Sequence, residues 1–223
     1  MVPRELIDIA PVPGGDELRL FRRGADHMIV LDRNELMNSR MSGSEEALAT
    51  MSIERIAERK KPQILIGGYG MGFTLRAALA VLPADAQVVV VELVPKIIDW
   101  ARDHMSELAA GCLDDPRVDV VIGDVGAEIG RTRAGFDAIL LDVDNGPDGL
   151  TRLGNDRLYS MRGLEAARAA LAPGGVLAVW SAAPDKAFAR RMGEAGFSVD
   201  EVTVRARSNG KGAKHVIWFG RKN

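Results

Sequence analysis

Several common sources of chemistry are missing from this chain of 223 residues. It has one cysteine, Cys112, so no intrachain disulfide can form, which fits a reducing compartment. Nothing cationic sits next to Cys112 in sequence to activate its thiolate, and the plain reading is a small side chain near a helix end. Neither sign of charge prevails. The formal net charge is −2, which removes any global electrostatic case for nucleic acid or an anionic membrane as partner. No appended nucleic-acid module is visible either. No apolar run approaches the roughly 20 residues that cross a bilayer. The start, Met1-Val2-Pro3-Arg4-Glu5, lacks signal-peptide character, so a cytoplasmic protein is expected. His27, His104 and His215 are far apart and make no metal-ligand spacing; they read as structural, and no metal is expected. Internal repeats and low-complexity tracts are absent as well.

What remains is an ordinary globular composition, 47% hydrophobic and 27% charged, long enough for one core without disulfides. Residues 1–43 read as an irregular arm, then a hairpin of Leu18–Phe21 and Met28–Leu31, then a polar loop from Asn34 to Gly43. Residues 44–223 read as the main domain. Ser42 and Ser44 are good helix caps, with Glu45 in capping-box position after Ser42, and a helix follows to about Arg59. From Pro62 the pattern becomes regular. Apolar runs at Ile64–Ile66, Val88–Val91, Val118–Ile122, Phe136–Leu141 and Val176–Trp180 alternate with helices at Phe73–Leu82, Pro95–Ala109, Asp156–Leu171 and Asp185–Ala195. Two last strands, Phe197–Arg205 and His215–Phe219, flank the turn signal Ser208-Asn209-Gly210. This pattern predicts an α/β fold: a mostly parallel, Rossmann-like seven-stranded sheet with a C-terminal antiparallel hairpin and a small N-terminal β-hairpin.

In such sheets ligands bind beyond the carboxyl ends of the strands. Those ends are polar here. The first carries Gly67-Gly68-Tyr69-Gly70-Met71-Gly72, in which Gly68, Gly70 and Gly72 form G-x-G-x-G. Glycines let a ligand lie against bare backbone, and the next helix offers free N–H groups; a tight strand-to-helix turn is the plainer alternative. Glu92 ends the second strand, 20 residues after Gly72, where a carboxylate can accept from both ribose hydroxyls. A surface Glu opening a loop is its alternative. Asp124 ends the third strand, where it can accept from an adenine amino group, and Asp142 ends the fourth. Phe73 occupies the position where a dinucleotide fingerprint needs a small residue, which argues against NAD. The candidate cofactor-binding residues are therefore Gly67, Gly68, Tyr69, Gly70, Gly72, Glu92, Leu93, Asp124, Val125 and Asp142, and the candidate catalytic residues are Asp142 and Asp144. Helix-cap or loop acids are the alternative for the last two. Tyr69 and Trp180 are candidate pocket-lining side chains, with plain core or wall packing as the alternative. The Arg205, Arg207, Lys211, Lys214 and His215 cluster is either a solvated turn or a rim that attracts an anionic substrate.

Ile64–Gly72 with Thr74-Leu75-Arg76, Val91-Glu92-Leu93, Asp115-Pro116-Arg117-Val118, Ile122-Gly123-Asp124 and Asp137–Asp142 together resemble the spermidine synthase (polyamine aminopropyltransferase) family, within the class I S-adenosylmethionine-dependent methyltransferase fold. The resemblance runs from about Arg33 to the C-terminus. It implies an adenosyl donor, S-adenosylmethionine or its decarboxylated form, a small-molecule acceptor and a homodimer. The family's first motif reads G-G-G-D-G-G, and Gly70 stands where its Asp holds the donor's amino end. Its E-F-x-Y-x-E segment appears as Glu35-Leu36-Met37-Asn38-Ser39-Arg40, and its D-S-S/T-D-P as Asp142-Val143-Asp144-Asn145-Gly146-Pro147. Ile66 stands where methyltransferases usually carry an acid. These replacements remove acids and add a cation. The sequence expectation is therefore methyl transfer to a small molecule, with aminopropyl transfer to a polyamine as the alternative and a non-catalytic adenosyl-binding scaffold as a third.

Overall fold

The computed structural model describes residues 2–143 and 157–223. Four strands, β1 (Glu5–Pro11), β2 (Glu17–Arg23), β3 (Asp26–Leu31) and β4 (Asn34–Asn38), form an antiparallel meander in the order β1-β2-β3-β4. A second sheet holds β5 (Gln63–Gly67), β6 (Gln87–Glu92), β7 (Val118–Ile122), β8 (Phe136–Leu141), β9 (Leu171–Ser181), β10 (Phe197–Arg205) and β11 (Lys214–Lys222). Its order is β10-β11-β9-β8-β5-β6-β7, parallel except for β11, which runs antiparallel to both neighbours. The fold class is the one read from the sequence.

Helices α1 (Gly43–Glu54), α2 (Phe73–Val81), α3 (Pro95–Arg102) and α4 (Ser106–Ala109) cover one face of the large sheet with the small one; α5 (Val125–Arg131), α6 (Met161–Ala170) and α7 (Lys186–Glu194) cover the other. Burial on both faces explains the unbroken apolar runs. Ile64 and Ile66 point into the first core and Leu65 into the second; Val88 and Val90 oppose Val91 in the same way. The order reverses at β5, which lies between β6 and β8, so the crevice above its carboxyl end is where a ligand site belongs.

Three local expectations are corrected. The N-terminal arm is a strand: β1 pairs with β2 through a register shift between Leu6 and Asp8, which blurs the alternation, and Leu6 and Ile9 stay exposed. The polar loop after Arg33 is strand β4, which backbone pairing with β3 holds despite its composition, through a tight turn with Asp32 at φ 54°. The helix from Pro95 breaks after Arg102. Asp103 leaves helical dihedrals, Met105 N–H reaches back to Trp100 O, and Met105 drops into the core. The helix after Asp156 is described from Met161, capped by Ser160; Asp156 itself lies outside the described residues. No helix among the described residues is long and apolar enough to cross a membrane.

The small sheet docks through Asp8, which accepts from Trp100 Nε1 at 2.9 Å and pairs with Lys96 at 3.1 Å. These partners, the Trp100 bond first, hold its carboxyl at about 2. A second clasp is Arg117. Its guanidinium donates to the carbonyls of Leu79, Leu82 and Pro83 and forks onto Asp115 at 2.9 and 2.8 Å. One side chain thus closes the open carbonyl end of α2 and ties it to the entry of β7. Arg117→Ala is expected to cost about 2–3 kcal/mol, the range for lost charged hydrogen bonds. Arg117→Lys should recover less than half of that, since an ammonium cannot fork; thermal melts of both variants check this.

Candidate active site

The carboxyl ends of β5 to β8 open into a cavity of about 1020 Å³, counting its open mouth. Four strand ends build its floor. Gly68 (φ 86°) faces Asp142 so closely that a Cβ would lie 2.4 Å from the Asp142 carbonyl oxygen, so only glycine fits at the β5–β8 junction. Gly70 (φ 56°) is bare for another reason: a Cβ there would meet Met37 Sδ at 2.4 Å. The methionine of β4 thus fills the space where the resemblance puts an aspartate side chain.

Glu92, at the end of β6, is 5% exposed. Its Oε2 accepts from Tyr69 N–H and its Oε1 from Val94 N–H, both at 2.9 Å. Burial raises its pKa, and backbone N–H groups at Val94, Tyr69, Gly70 and Leu93 oppose that rise. The carboxylate lines the cavity, and each oxygen keeps a lone pair beyond its backbone bond, enough for a diol. Asp124 also lines the cavity, though its Oδ1 already caps α5 by accepting from Ala127 N–H at 2.7 Å.

Of the residues singled out in the sequence, Gly68, Gly70, Glu92, Leu93, Asp124, Val125, Asp142 and Trp180 lie together on the cavity wall. Gly67, Tyr69 and Gly72 do not line it. Gly67 is packed against Val125 and Leu141, where a Cβ would collide. Tyr69 contributes its N–H to Glu92, but its ring turns into the core; its hydroxyl meets Cys112 Sγ at 3.5 Å and sits beneath Gly72 (φ 80°). Burial raises both the Tyr69 phenol and the Cys112 thiol, leaving the thiol inert. Asp144 lies outside the described residues.

The residue that sequence reasoning missed is Glu45. The pattern made it a capping-box partner, yet no side chain caps α1. Instead Glu45 lines the cavity with Asp142. Burial is the main cause that raises both carboxyls; repulsion from Asp142 adds to it at Glu45, and the Thr74 hydroxyl, donating to Asp142 Oδ2 at 2.6 Å, partly offsets it at Asp142. No salt bridge to either acid occurs among the described residues. Ser44 Oγ, fully buried, lies 2.6 Å from Glu45 Oε2 and 2.9 Å from His215 Nδ1. Trp180 sets its ring edge-on to His215 at 4.8 Å, and its Nε1–H is buried without a partner among the described residues. A further wall, Val12, Leu18, Ile29, Leu31, Leu36 and Met37, is apolar and comes from the small sheet and the residue that follows β1. The segment after Arg33, with Leu36 and Met37, was legible as a pocket contributor; the rest of that wall depends on how two sheets dock. No cluster of metal-ligating side chains occurs among the described residues.

An open α/β sheet with a glycine turn, a buried acid and a second pair of acids at its switch point has the architecture of the class I methyltransferase-like fold. Residues 41–187 match the spermine/spermidine synthase domain, and the chain belongs to that family. It is 36% identical over 175 residues to a polyamine aminopropyltransferase of Mycobacterium tuberculosis, an alignment that covers 76% of this chain and 30% of that protein. It is 35% identical over 133 residues to putrescine N-methyltransferase 1 of Nicotiana tabacum, covering 59% of this chain and 33% of that protein. The chain thus spans about a third of the length of these relatives. A crystal structure of spermidine synthase in complex with the transition state analogue AdoDATO superposes with a TM-score of 0.77 at 20% identity, covering 98% of this chain and 73% of that one. These findings overturn the expectation of methyl transfer as the principal reaction: the family model and the mycobacterial relative are those of polyamine aminopropyl transfer. Glu45 on α1 adds an acid to the cavity wall that the motif comparison did not count.

Two outcomes follow. Glu92→Ala should weaken methylthioadenosine binding about 10- to 100-fold by calorimetry, as loss of charged hydrogen bonds predicts; unchanged affinity would remove Glu92 from a ribose role. Glu45 is raised in the folded protein to about 8, so its contribution to stability is present below about pH 4.5 and lost as pH rises through about 8. Glu45→Gln should therefore melt a few degrees above the unaltered chain at pH 9 and no higher at pH 4, given about 2–4 °C per kcal/mol at this size.

Proposed function

We propose that this protein transfers the aminopropyl group of decarboxylated S-adenosylmethionine to a primary amine of a small polyamine-class acceptor. The observation that carries this reading is the Glu45–Asp142 pair. Two carboxyls line one cavity with no cation paired to them among the described residues, and an ammonium group entering it relieves both their burial and the repulsion that Asp142 exerts on Glu45. The adenosyl part has its own supports below: Glu92 for the ribose hydroxyls, Asp124 for the adenine amino group, and the bare backbone at Gly68 and Gly70 for close approach. The family match and the amine acceptors in both relatives' names point the same way.

The reaction is an in-line displacement. The amine nitrogen forms a bond to the carbon attached to the sulfonium, and the carbon–sulfur bond breaks, leaving a neutral thioether. The donor is already activated, so holding the partners in line does most of the work, up to about 7–11 kcal/mol in favourable cases. The acceptor must also shed a proton. Asp142, oriented by the Thr74 hydroxyl and raised by burial, is placed to take it. Burial holds both carboxyls above the ordinary carboxylate range, Glu45 further than Asp142 because repulsion from Asp142 adds to its rise, so Asp142 is the acid that ionises first as pH rises.

Turnover is tested with decarboxylated S-adenosylmethionine and putrescine, following the aminopropylated product by mass spectrometry. Asp142→Asn should lower kcat about 10²- to 10⁴-fold, the span of positioned proton transfer, while methylthioadenosine affinity stays within threefold. If neither putrescine nor any other diamine yields product, the reading fails.

A further inference from the structure

We propose that Ser44 and His215 form a proton outlet for the acid pair, carrying the acceptor's proton from the cavity to the surface beside β11. This rests on reading the cavity as an amine-alkylating site. A buried general base has to be emptied after each turnover, and a route through the protein stays open while donor and acceptor occupy the cavity. From Glu45 outward that route is a chain of polar atoms. Glu45 stands on the cavity wall; its Oε2 is 2.6 Å from Ser44 Oγ, which is 2.9 Å from His215 Nδ1. Ser44 is wholly buried, and its single hydroxyl proton lies between two acceptors. His215 is part-exposed near the open end of β11, so its ring reaches both the buried hydroxyl and water.

The surroundings suit a relay. From α1 the ring meets Ser44, with Glu45 behind it; from β9 it meets the edge of Trp180; from β10 Val204 lies opposite, and Lys214 precedes it on its own strand. Burial lowers the His215 pKa, so the imidazole is neutral at pH 7 and does not trap a proton it receives. Glu45 faces Asp142 and Glu46, which push its pKa up, and the Ser44 hydroxyl and its own N–H, which hold it down. The proton therefore rests on Glu45 and occupies the imidazole only in passing, on its way to water.

The step balances. As the N–C bond forms and the C–S bond breaks, the amine's N–H proton passes to the acid pair. Glu45, as the carboxylic acid, gives a proton to Ser44 Oγ while the Ser44 hydroxyl proton moves to Nδ1 of the neutral imidazole. The imidazolium then releases a proton to water. No oxidant, metal or further reactant is needed. Ser44 and His215 touch neither substrate in this scheme; they act through Glu45 as positioning residues.

The test uses the full chain with decarboxylated S-adenosylmethionine and putrescine. Ser44→Ala and His215→Gln should each lower kcat near pH 7 by about 10²-fold, the low end of positioned proton transfer, with KM for putrescine changed less than threefold. The loss should shrink as pH rises toward 9, and added imidazole should restore part of the rate of His215→Ala. Profiles of kcat against pH that keep the shape of the unaltered enzyme's in both variants would overturn the outlet and leave the proposed reaction standing. Absence of turnover by the unaltered enzyme would instead sink the reaction. The outlet is then judged in the resting protein, where the titration midpoint of ¹³C-labelled Glu45 should move by at least half a pH unit (about threefold in proton affinity) in His215→Gln. A midpoint that stays put overturns it. Circular dichroism and melting of each variant identify any that fail to fold, and His215→Asn then replaces His215→Gln.

Discussion

Everything at the candidate site hangs on how Glu92 spends its two oxygens. A buried carboxylate is costly unless hydrogen bonds compensate it, and here both come from the backbone, at Tyr69 and Val94. The first N–H belongs to the glycine turn after β5, and the second opens the way into α3. One side chain therefore couples the turn, the end of β6 and the next helix. Glu92 also lines the cavity. Under the proposed ribose role, structural and ligand-binding duties fall on the same group, which is why its removal is expected to be felt in both.

Around that brace, each glycine answers a different neighbour. Gly68 is bare because the Asp142 carbonyl of β8 lies under it, Gly67 because Val125 and Leu141 press on it, and Gly72 because the Tyr69 phenol lies beneath. Gly70 is bare beside Met37, a flexible side chain from a different sheet. Three of the four are therefore set by the fold's own packing. The fourth is where this chain departs from its family, and the departure has been filled by an apolar group rather than left open.

The acid balance of the pocket illustrates a limit on motif reading. Counting acids along the chain found them missing at Gly70 and Arg40 and pointed to methyl transfer. Yet Glu45, whose spacing from Ser42 reads as a capping-box partner, lines the same cavity as Asp142. Whether a Glu in the first turn of a helix reaches back to its own N-terminus or outward to a neighbouring strand depends on what packs there. In this chain Ser44 and His215, 171 residues apart, supply the alternative partner. Tyr69 and Trp180 were both legible as pocket candidates; Trp180 lies on the cavity wall, whereas the Tyr69 ring turns into the core, a choice made by tertiary packing.

The sequence by itself determined the parallel sheet, its order of strands and helices, and the polar strand ends, because those follow from local periodicity and from burial on both faces. Gly68, Gly70, Glu92, Asp124 and Asp142 were legible for that reason. Strands β1 and β4 were not, since their stability comes from backbone pairing with neighbours and not from an apolar pattern of their own. Tertiary structure alone decided which side chains from distant segments share the cavity: the apolar wall of the small sheet, Met37 over Gly70, and Glu45 joined through Ser44 to His215. Local sequence sets where a strand ends, but the direction a side chain takes beyond that end depends on contacts made by chain far away.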